Sequence, residues 1–140
     1  MNLAEKRCVV IGGGAVAERK VRQLLDCEAQ VVVISPELSR GLKALAKSSQ
    51  VRWEPRNYTT GDLAEAFLAI AATDDKGVNR TVAAEARERG VIINVVDDAE
   101  NCDFIAPAII RRGEIVIAIS TGGLSPALAR HLRQTLEEAI

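Results

Sequence analysis

Four short runs along the chain are nearly continuous in apolar residues: 7–12 (RCVVIG), 29–35 (AQVVVIS), 67–73 (FLAIAAT) and 91–97 (VIINVVD). Runs of this length without polar alternation mark strands covered on both faces. Between them the spacing changes to a helical one. Val16, Lys20 and Leu24, with Val21 and Leu25, form a stripe over 15–27. Residues 36–48 (PELSRGLKALAKS) read as a helix with Pro36 near its first turn. Residues 75–90 (DKGVNRTVAAEARERG) read as an amphipathic helix closed by Gly90. Two segments are weaker. VRWEPR (51–56) is a poor strand, because Pro55 offers no N–H to a ladder and so belongs at an edge. TGDLAEA (60–66) reads as a capped helical turn. Alternation of strand and helix predicts an α/β fold, a parallel sheet with helices on both faces.

After Asp97 the rhythm changes. CDFIAPAII (102–110) and EIVIAIST (114–121) are strand-like runs joined through Arg111, Arg112 and Gly113, too close for a crossover, so an antiparallel pair is expected. A glycine turn follows, then Ser125 as a cap, Pro126 at the first helical position and a final helix. The expected boundary falls near residue 110, with a nucleotide-binding domain over 1–110 and a strand-helix appendage over 111–140. The last helix carries Leu124, Leu128, Leu132 and Leu136 at four-residue spacing. A stripe of that kind needs a cover, and a second copy of the chain is the expected one.

Composition narrows the function classes. With 48% apolar residues the chain can bury a core, and 18 Lys plus Arg nearly balance 19 Asp plus Glu. No global field draws it to nucleic acid or to an anionic membrane, so an anionic ligand must be held by local groups. Aromatic residues make up 3%, too few for stacking platforms on single strands. No apolar run is long enough to span a bilayer, and the first ten residues do not form a signal peptide. The three cysteines, Cys8, Cys27 and Cys102, stand apart with no CxxC, as expected of reduced thiols in a cytoplasmic protein. Cys8 and Cys27 read as small core residues. His131 is the single histidine and has no ligand-spaced companion, so no metal site is expected.

The chemistry begins where the first strand stops, at IGGGAVAERK. Gly12, Gly14 and Ala17 fit the G-x-G-x-x-G/A pattern in its required context, after a buried strand and at the start of a helix. The first glycine permits the sharp turn. The second lets a pyrophosphate approach the backbone, and a small residue at 17 lets helix and strand pack closely. Gly13, Ala15 and Val16 complete the turn, and the helix N-terminus offers N–H groups to phosphate. This is the Rossmann-like fingerprint of a dinucleotide site; a glycine-rich structural turn is the plain alternative. The acid that should bond the adenosine ribose is displaced. The place reads Ser35, Pro36, Glu37, where Glu37 stands slightly late and Ser35 could serve instead. No arginine immediately follows the strand, although Arg40 is near, and this favours NAD over NADP.

Four stretches, VVIGGGAVAERKV, FLAIAATDDKGVN, NVVDDAENCDFIAPAIIRRG and IAISTGGLSPALARHLR, run in order over residues 6 to 137. Together they resemble the precorrin-2 dehydrogenases, which also form part of siroheme synthases. The resemblance implies NAD-dependent oxidation of precorrin-2 to sirohydrochlorin in siroheme biosynthesis, with iron insertion in some members. It also implies a homodimer joined through the appendage. Family chains usually continue into a helical region that covers the substrate, and this sequence ends before it.

The resemblance assigns roles that the residues themselves leave open. Asp97 matches the family's candidate general base; as a lone residue it could equally cap a turn. Asn94 could orient the nicotinamide amide or bond a loop. Thr73 and Asp74 follow a strand and would line the nucleotide, though a plain turn also uses such residues. Thr121, Gly122, Gly123 and Ser125 form a glycine turn at a helix start, suited to a tetrapyrrole carboxylate. Thr121 stands where many members have serine, and the hydroxyl is kept. Arg111 and Arg112, with Arg130, His131 and Arg133, supply local positive charge for a polycarboxylate, or a solvated face. Two other classes fit less well. A nucleotide-sensing module would need neither Asp97 nor the 120–126 loop. A hydroxy-acid or amino-acid dehydrogenase would need a larger substrate domain.

Overall fold

The computed structural model describes residues 1–140, which fall into two compact units, Met1–Asp103 and Phe104–Ile140. In the first, β1 (Arg7–Ile11), α1 (Ala15–Asp26), β2 (Gln30–Ile34), α2 (Arg40–Lys47), β3 (Arg52–Glu54), β4 (Leu68–Ala71), α3 (Lys76–Arg89) and β5 (Ile92–Val95) follow one another. The strands form one parallel sheet in the order β3-β2-β1-β4-β5. The chain therefore steps outward from β1 to β2 and β3, then returns to the other side of β1 for β4 and β5. Right-handed crossovers in these opposite directions put helices on both faces. Register is in step across the centre: Val9 lies between Val32 and Ala69, and Ile11 between Ile34 and Ala71.

Both faces are dry. Val9, Ile11, Val32, Ile34, Ala69, Ile93 and Val95 pack with Val82, Ala83 and Ala86 of α3. The alternate residues Cys8, Val10, Val31, Val33, Leu68 and Ile70 point the other way and are equally buried. That two-sided burial is why the strands lack polar alternation. Cys8 lies in this core, and burial pushes its thiol up to about 11. Cys27 is half-buried at the end of α1 instead.

Two elements differ from the sequence expectation. Helix α2 begins at Arg40, not near Pro36, because Ser39 caps it by accepting from the Leu42 N–H. Residues 60–66 form successive tight turns, with Asp62, Ala64 and Ala66 each donating to the residue three before, at 3.1 Å. By compactness the first unit ends at Asp103. Asp103 closes it by donating its N–H to the Ile93 carbonyl (2.8 Å) and accepting the Ile93 N–H on Oδ2 (3.0 Å). The next strand, β6 (Ala108–Arg112), has its ladder partner in β7 (Ile115–Ile119), antiparallel as expected. With α4 (Pro126–Ala139), capped by Ser125, they make the second unit.

One buried carboxylate holds the first unit's longest connection. Glu85 on α3 accepts from the Tyr58 hydroxyl, the N–H groups of Gly61 (2.9 Å) and Leu63 (3.0 Å), and Arg89 Nε (2.8 Å). Burial pushes its carboxyl up, but these hydrogen bonds outweigh it and hold the group below its usual range. A depressed folded-state value means that the stabilisation is present above the unfolded value and fades as pH falls through the folded one. Glu85→Gln sets an amide against those donors and should cost about 2 kcal/mol at neutral pH. Denaturant titrations of both proteins should show the gap narrowing in acid.

Candidate active site

The carboxyl ends of β1, β2, β4 and β5 open at one edge, and the strand order reverses between β1 and β4. Open α/β sheets bind ligands at such a switch point. The turn leaving β1 fills that place. Gly12 has φ +127°, and a Cβ there would collide with the Ala72 carbonyl in the loop after β4. A Cβ at Gly13 would collide with the Glu37 carbonyl and lie 2.7 Å from Ser35 Oγ. Both glycines thus let neighbouring loops close on the turn. Gly14 is different: it is exposed, and a Cβ there would meet nothing within 4 Å. It is the residue before α1, and no side chain caps that helix. The first N–H groups of α1, on Ala15, Val16 and Ala17, have no carbonyl to reach within the helix. Ala17 is fully buried, as close packing of helix on strand requires. An open, uncapped helix end with its side-chain space vacant suits a pyrophosphate.

Around this turn the loops are firmly built. Ser35 is buried, and its hydroxyl donates to the Glu37 carbonyl at 2.7 Å, so it closes the loop after β2. Trp53 Nε1 on the edge strand donates to the Ser35 carbonyl (2.8 Å). Pro36 and Glu37 are left exposed. After β4, Asn79 on α3 is buried and locks Thr73. Its Oδ1 accepts from the Thr73 hydroxyl (2.6 Å) and N–H (3.2 Å), and its Nδ2 donates to the Thr73 carbonyl (3.0 Å). Asp75 caps α3 through the N–H groups of Gly77 and Val78, which leaves the exposed Asp74 out of the cap. Asn94 is buried in β5 beside Ile70, on the face opposite Ile93 and Val95.

Asp97 stands in the turn after β5, exposed, with φ +59°. Aspartate tolerates this left-handed conformation better than most side chains. Its carboxylate makes no hydrogen bond within the chain, so it caps nothing. Asp98 does the local work, accepting from Asn101 Nδ2 at 2.6 Å. Cys102 pins the turn from behind: its Sγ accepts the Val95 N–H (3.1 Å) and faces the carbonyls of Val95 (3.2 Å) and Asp98 (3.3 Å). Lys20 on α1 is the charged neighbour that the helical stripe concealed. Burial pushes its ammonium below the usual range, Arg19 adds to this, and Cys102 and Asp97 pull it back. Lys20, on the helix that starts at the glycine turn, thus lies close enough to Asp97 for the two charges to interact.

In the second unit, the loop from β7 to α4 is also tied down. Thr121 Oγ1 accepts the Ser125 N–H (2.9 Å), and Ser125 Oγ accepts the Leu128 N–H (3.1 Å). Each hydroxyl keeps its proton to donate. Of the two glycine N–H groups, that of Gly122 donates to Ser120 Oγ at 3.1 Å, while that of Gly123 makes no hydrogen bond within the chain. Arg112 leans on Glu137 of α4 (3.8 Å), and Arg133 pairs with the same carboxylate. Arg111, Arg130 and His131 are exposed. No group of three or more His, Cys, Asp or Glu side chains gathers as a metal site, and no helix is long and apolar enough to cross a membrane.

The parallel sheet, its order and the glycine turn define a Rossmann-type dinucleotide-binding domain. Residues 1–108 match the family described as putative NAD(P)-binding, and residues 112–139 match the one described as sirohaem biosynthesis protein central. The chain belongs to that NAD(P)-binding family. It is 46% identical over 140 residues to the siroheme synthase of Chromobacterium violaceum, and 43% over 141 residues to that of Nitrosomonas europaea. Each alignment covers 100% of this chain, which spans 30% of the length of each relative. A solved structure described as SirC, precorrin-2 dehydrogenase, superposes with a TM-score of 0.88 at 26% identity, over 100% of this chain and 69% of that one.

Proposed function

We propose that the chain is an NAD-dependent dehydrogenase domain that oxidises precorrin-2 to sirohydrochlorin in siroheme biosynthesis. The observation that carries the proposal is the pairing, on one sheet edge, of an open uncapped helix end at Gly14 with a carboxylate at Asp97 that no hydrogen bond employs. The matches to siroheme synthases and to a precorrin-2 dehydrogenase support the substrate.

In this reading the N–H groups of Ala15, Val16 and Ala17 take the pyrophosphate, and Glu37 accepts the ribose hydroxyls. A carboxylate there also repels the 2′-phosphate of NADP, which favours NAD. The Thr73–Asp74 loop lines the nucleotide and Asn94 stands near its nicotinamide end. When bound, NAD supplies the hydride acceptor. Oxidation removes a hydride and a proton from the tetrapyrrole, and Asp97 takes the proton. Arg111, Arg112, the Gly123 N–H and the hydroxyls of Thr121 and Ser125 receive substrate carboxylates. With reduced thiols and no membrane-spanning helix, the cytoplasm is the compartment that fits. With NAD in excess, this chain should form many NADH per chain when precorrin-2 is added; a nucleotide-sensing module would bind NAD and form none.

The second unit serves dimerisation. In the single chain its Ile115 is 65%, Val116 49%, Leu128 48%, Leu132 41% and Leu136 41% exposed. A twofold contact buries the strand and the leucine row together. Sedimentation should give about twice the 15.0 kDa chain mass. Leu128→Glu with Leu132→Glu should shift it to monomer or aggregate, and a wild-type monomer at high micromolar concentration would contradict the assignment.

A further inference from the structure

The loop that carries Glu37 is strapped down more heavily than a surface turn requires. Ser39 donates its N–H to the Gly13 carbonyl (2.7 Å), which fastens the loop to the glycine turn. The Ser39 hydroxyl donates to Glu18 Oε2 at 2.7 Å, while its oxygen accepts the Leu42 N–H at 3.2 Å. The other oxygen of Glu18 accepts from Arg22 (2.9 Å). A carboxylate in the second half-turn of α1 thus reaches to the N-terminus of α2. Glycine at 41 leaves room for the contact: a Cβ there would collide with the Glu18 carboxyl, which would have to shift. Hydrogen bonds from Ser39, then Arg22, hold the Glu18 carboxyl below its usual range, so it is ionised at neutral pH. Negative charge is favourable at both helix starts.

We propose that Glu18 is a positioning residue for coenzyme discrimination: through Ser39 it fixes the 35–39 loop on the glycine turn, so that Glu37 meets the adenosine ribose and the chain prefers NAD to NADP. The inference rests on the reading of the crevice as an NAD site. The physical step is rigidity. A carboxylate discriminates between a ribose hydroxyl and a 2′-phosphate only while it is held against that position. A released loop would let Glu37 swing away and leave the phosphate to the nearby Arg40, so discrimination would fall.

Calorimetric titration with NAD and with NADP tests this, on the wild type and on Ser39→Ala, Glu18→Gln, Gly41→Ala and Ser39→Thr, each with its thermal midpoint. The wild type should bind NAD more tightly. In Ser39→Ala and Glu18→Gln the NAD-to-NADP affinity ratio should fall about tenfold, the scale of one lost charge-assisted hydrogen bond. Gly41→Ala, which alters no polar group, should do the same by displacing Glu18. Ser39→Thr, which keeps the hydroxyl, should retain the ratio. Equal weakening of both nucleotides, or an unchanged ratio in variants that bind NAD, would overturn the inference and leave the NAD site standing. A folded wild type that binds neither nucleotide would overturn both.

Discussion

Asp97→Asn is expected to lower the turnover of precorrin-2 by about a hundredfold or more while NAD still binds, the usual scale for loss of a general base. The substitution is chosen for the backbone. At φ +59°, asparagine is as well tolerated as aspartate, so the turn after β5 should keep its shape. The carboxylate accepts no hydrogen bond from the chain, so the interaction within the chain that goes with its charge is the coulombic pull on Lys20. The Cys102 clasp on Val95 is untouched and continues to hold the turn. What disappears is a proton acceptor. Rapid-mixing kinetics with saturating NAD isolates that loss, because it should appear in kcat with the NAD affinity unchanged. A variant that oxidises precorrin-2 at the wild-type rate would make Asp97 a bystander.

Gly14→Val should abolish measurable NAD binding without unfolding the chain. The three glycines of the turn are not equivalent. Side chains at Gly12 and Gly13 would strike the Ala72 and Glu37 carbonyls, so substitutions there damage the fold first. At Gly14 a Cβ meets nothing within 4 Å, and φ is −88°, which any residue adopts. The protein should therefore accept valine at little cost, while the branched side chain fills the space over the α1 N–H groups that a pyrophosphate needs. Calorimetry should show the loss, and thermal unfolding should place the melting point within a few degrees of the wild type. Unchanged NAD affinity in the folded variant would make the whole turn structural.

Much of the architecture was legible in the sequence because burial on both faces removes polar alternation, and the four runs without it became β1, β2, β4 and β5. Gly90 and Pro126 punctuated their helices by backbone chemistry that needs no tertiary partner. The start of α2 was less legible. Pro36 marks a start by its fixed φ, but it is Ser39, three residues on, that caps the helix by accepting the Leu42 N–H. The Ser39 hydroxyl is held in turn by Glu18, 21 residues away in sequence. The glycine turn could be placed because strand ends collect at one edge of a parallel sheet, whereas Asp97 was singled out by the family resemblance. Their supports could not be found either way. Asn79 locks Thr73 and Glu85 gathers the 58–63 loop, yet along α3 Asn79 stands between Val78 and Arg80 and Glu85 among alanines, with nothing local to mark either. Ser35, a candidate ribose partner, is spent on its own loop. Lys20 fell within a hydrophobic stripe, and only the fold brings it near Asp97. Polar residues that act on partners far along the chain leave no local pattern.

The most direct measurement is a crystal structure of the chain with NAD bound. Pyrophosphate oxygens are expected within hydrogen-bond distance of the N–H groups that open α1, over Gly14. The ribose should lie at Glu37 and the nicotinamide on the β4–β5 side of the crevice, towards Asp97. A nucleotide bound elsewhere, or one whose nicotinamide points away from the end of β5, would contradict the assignment of this edge as a dehydrogenase site.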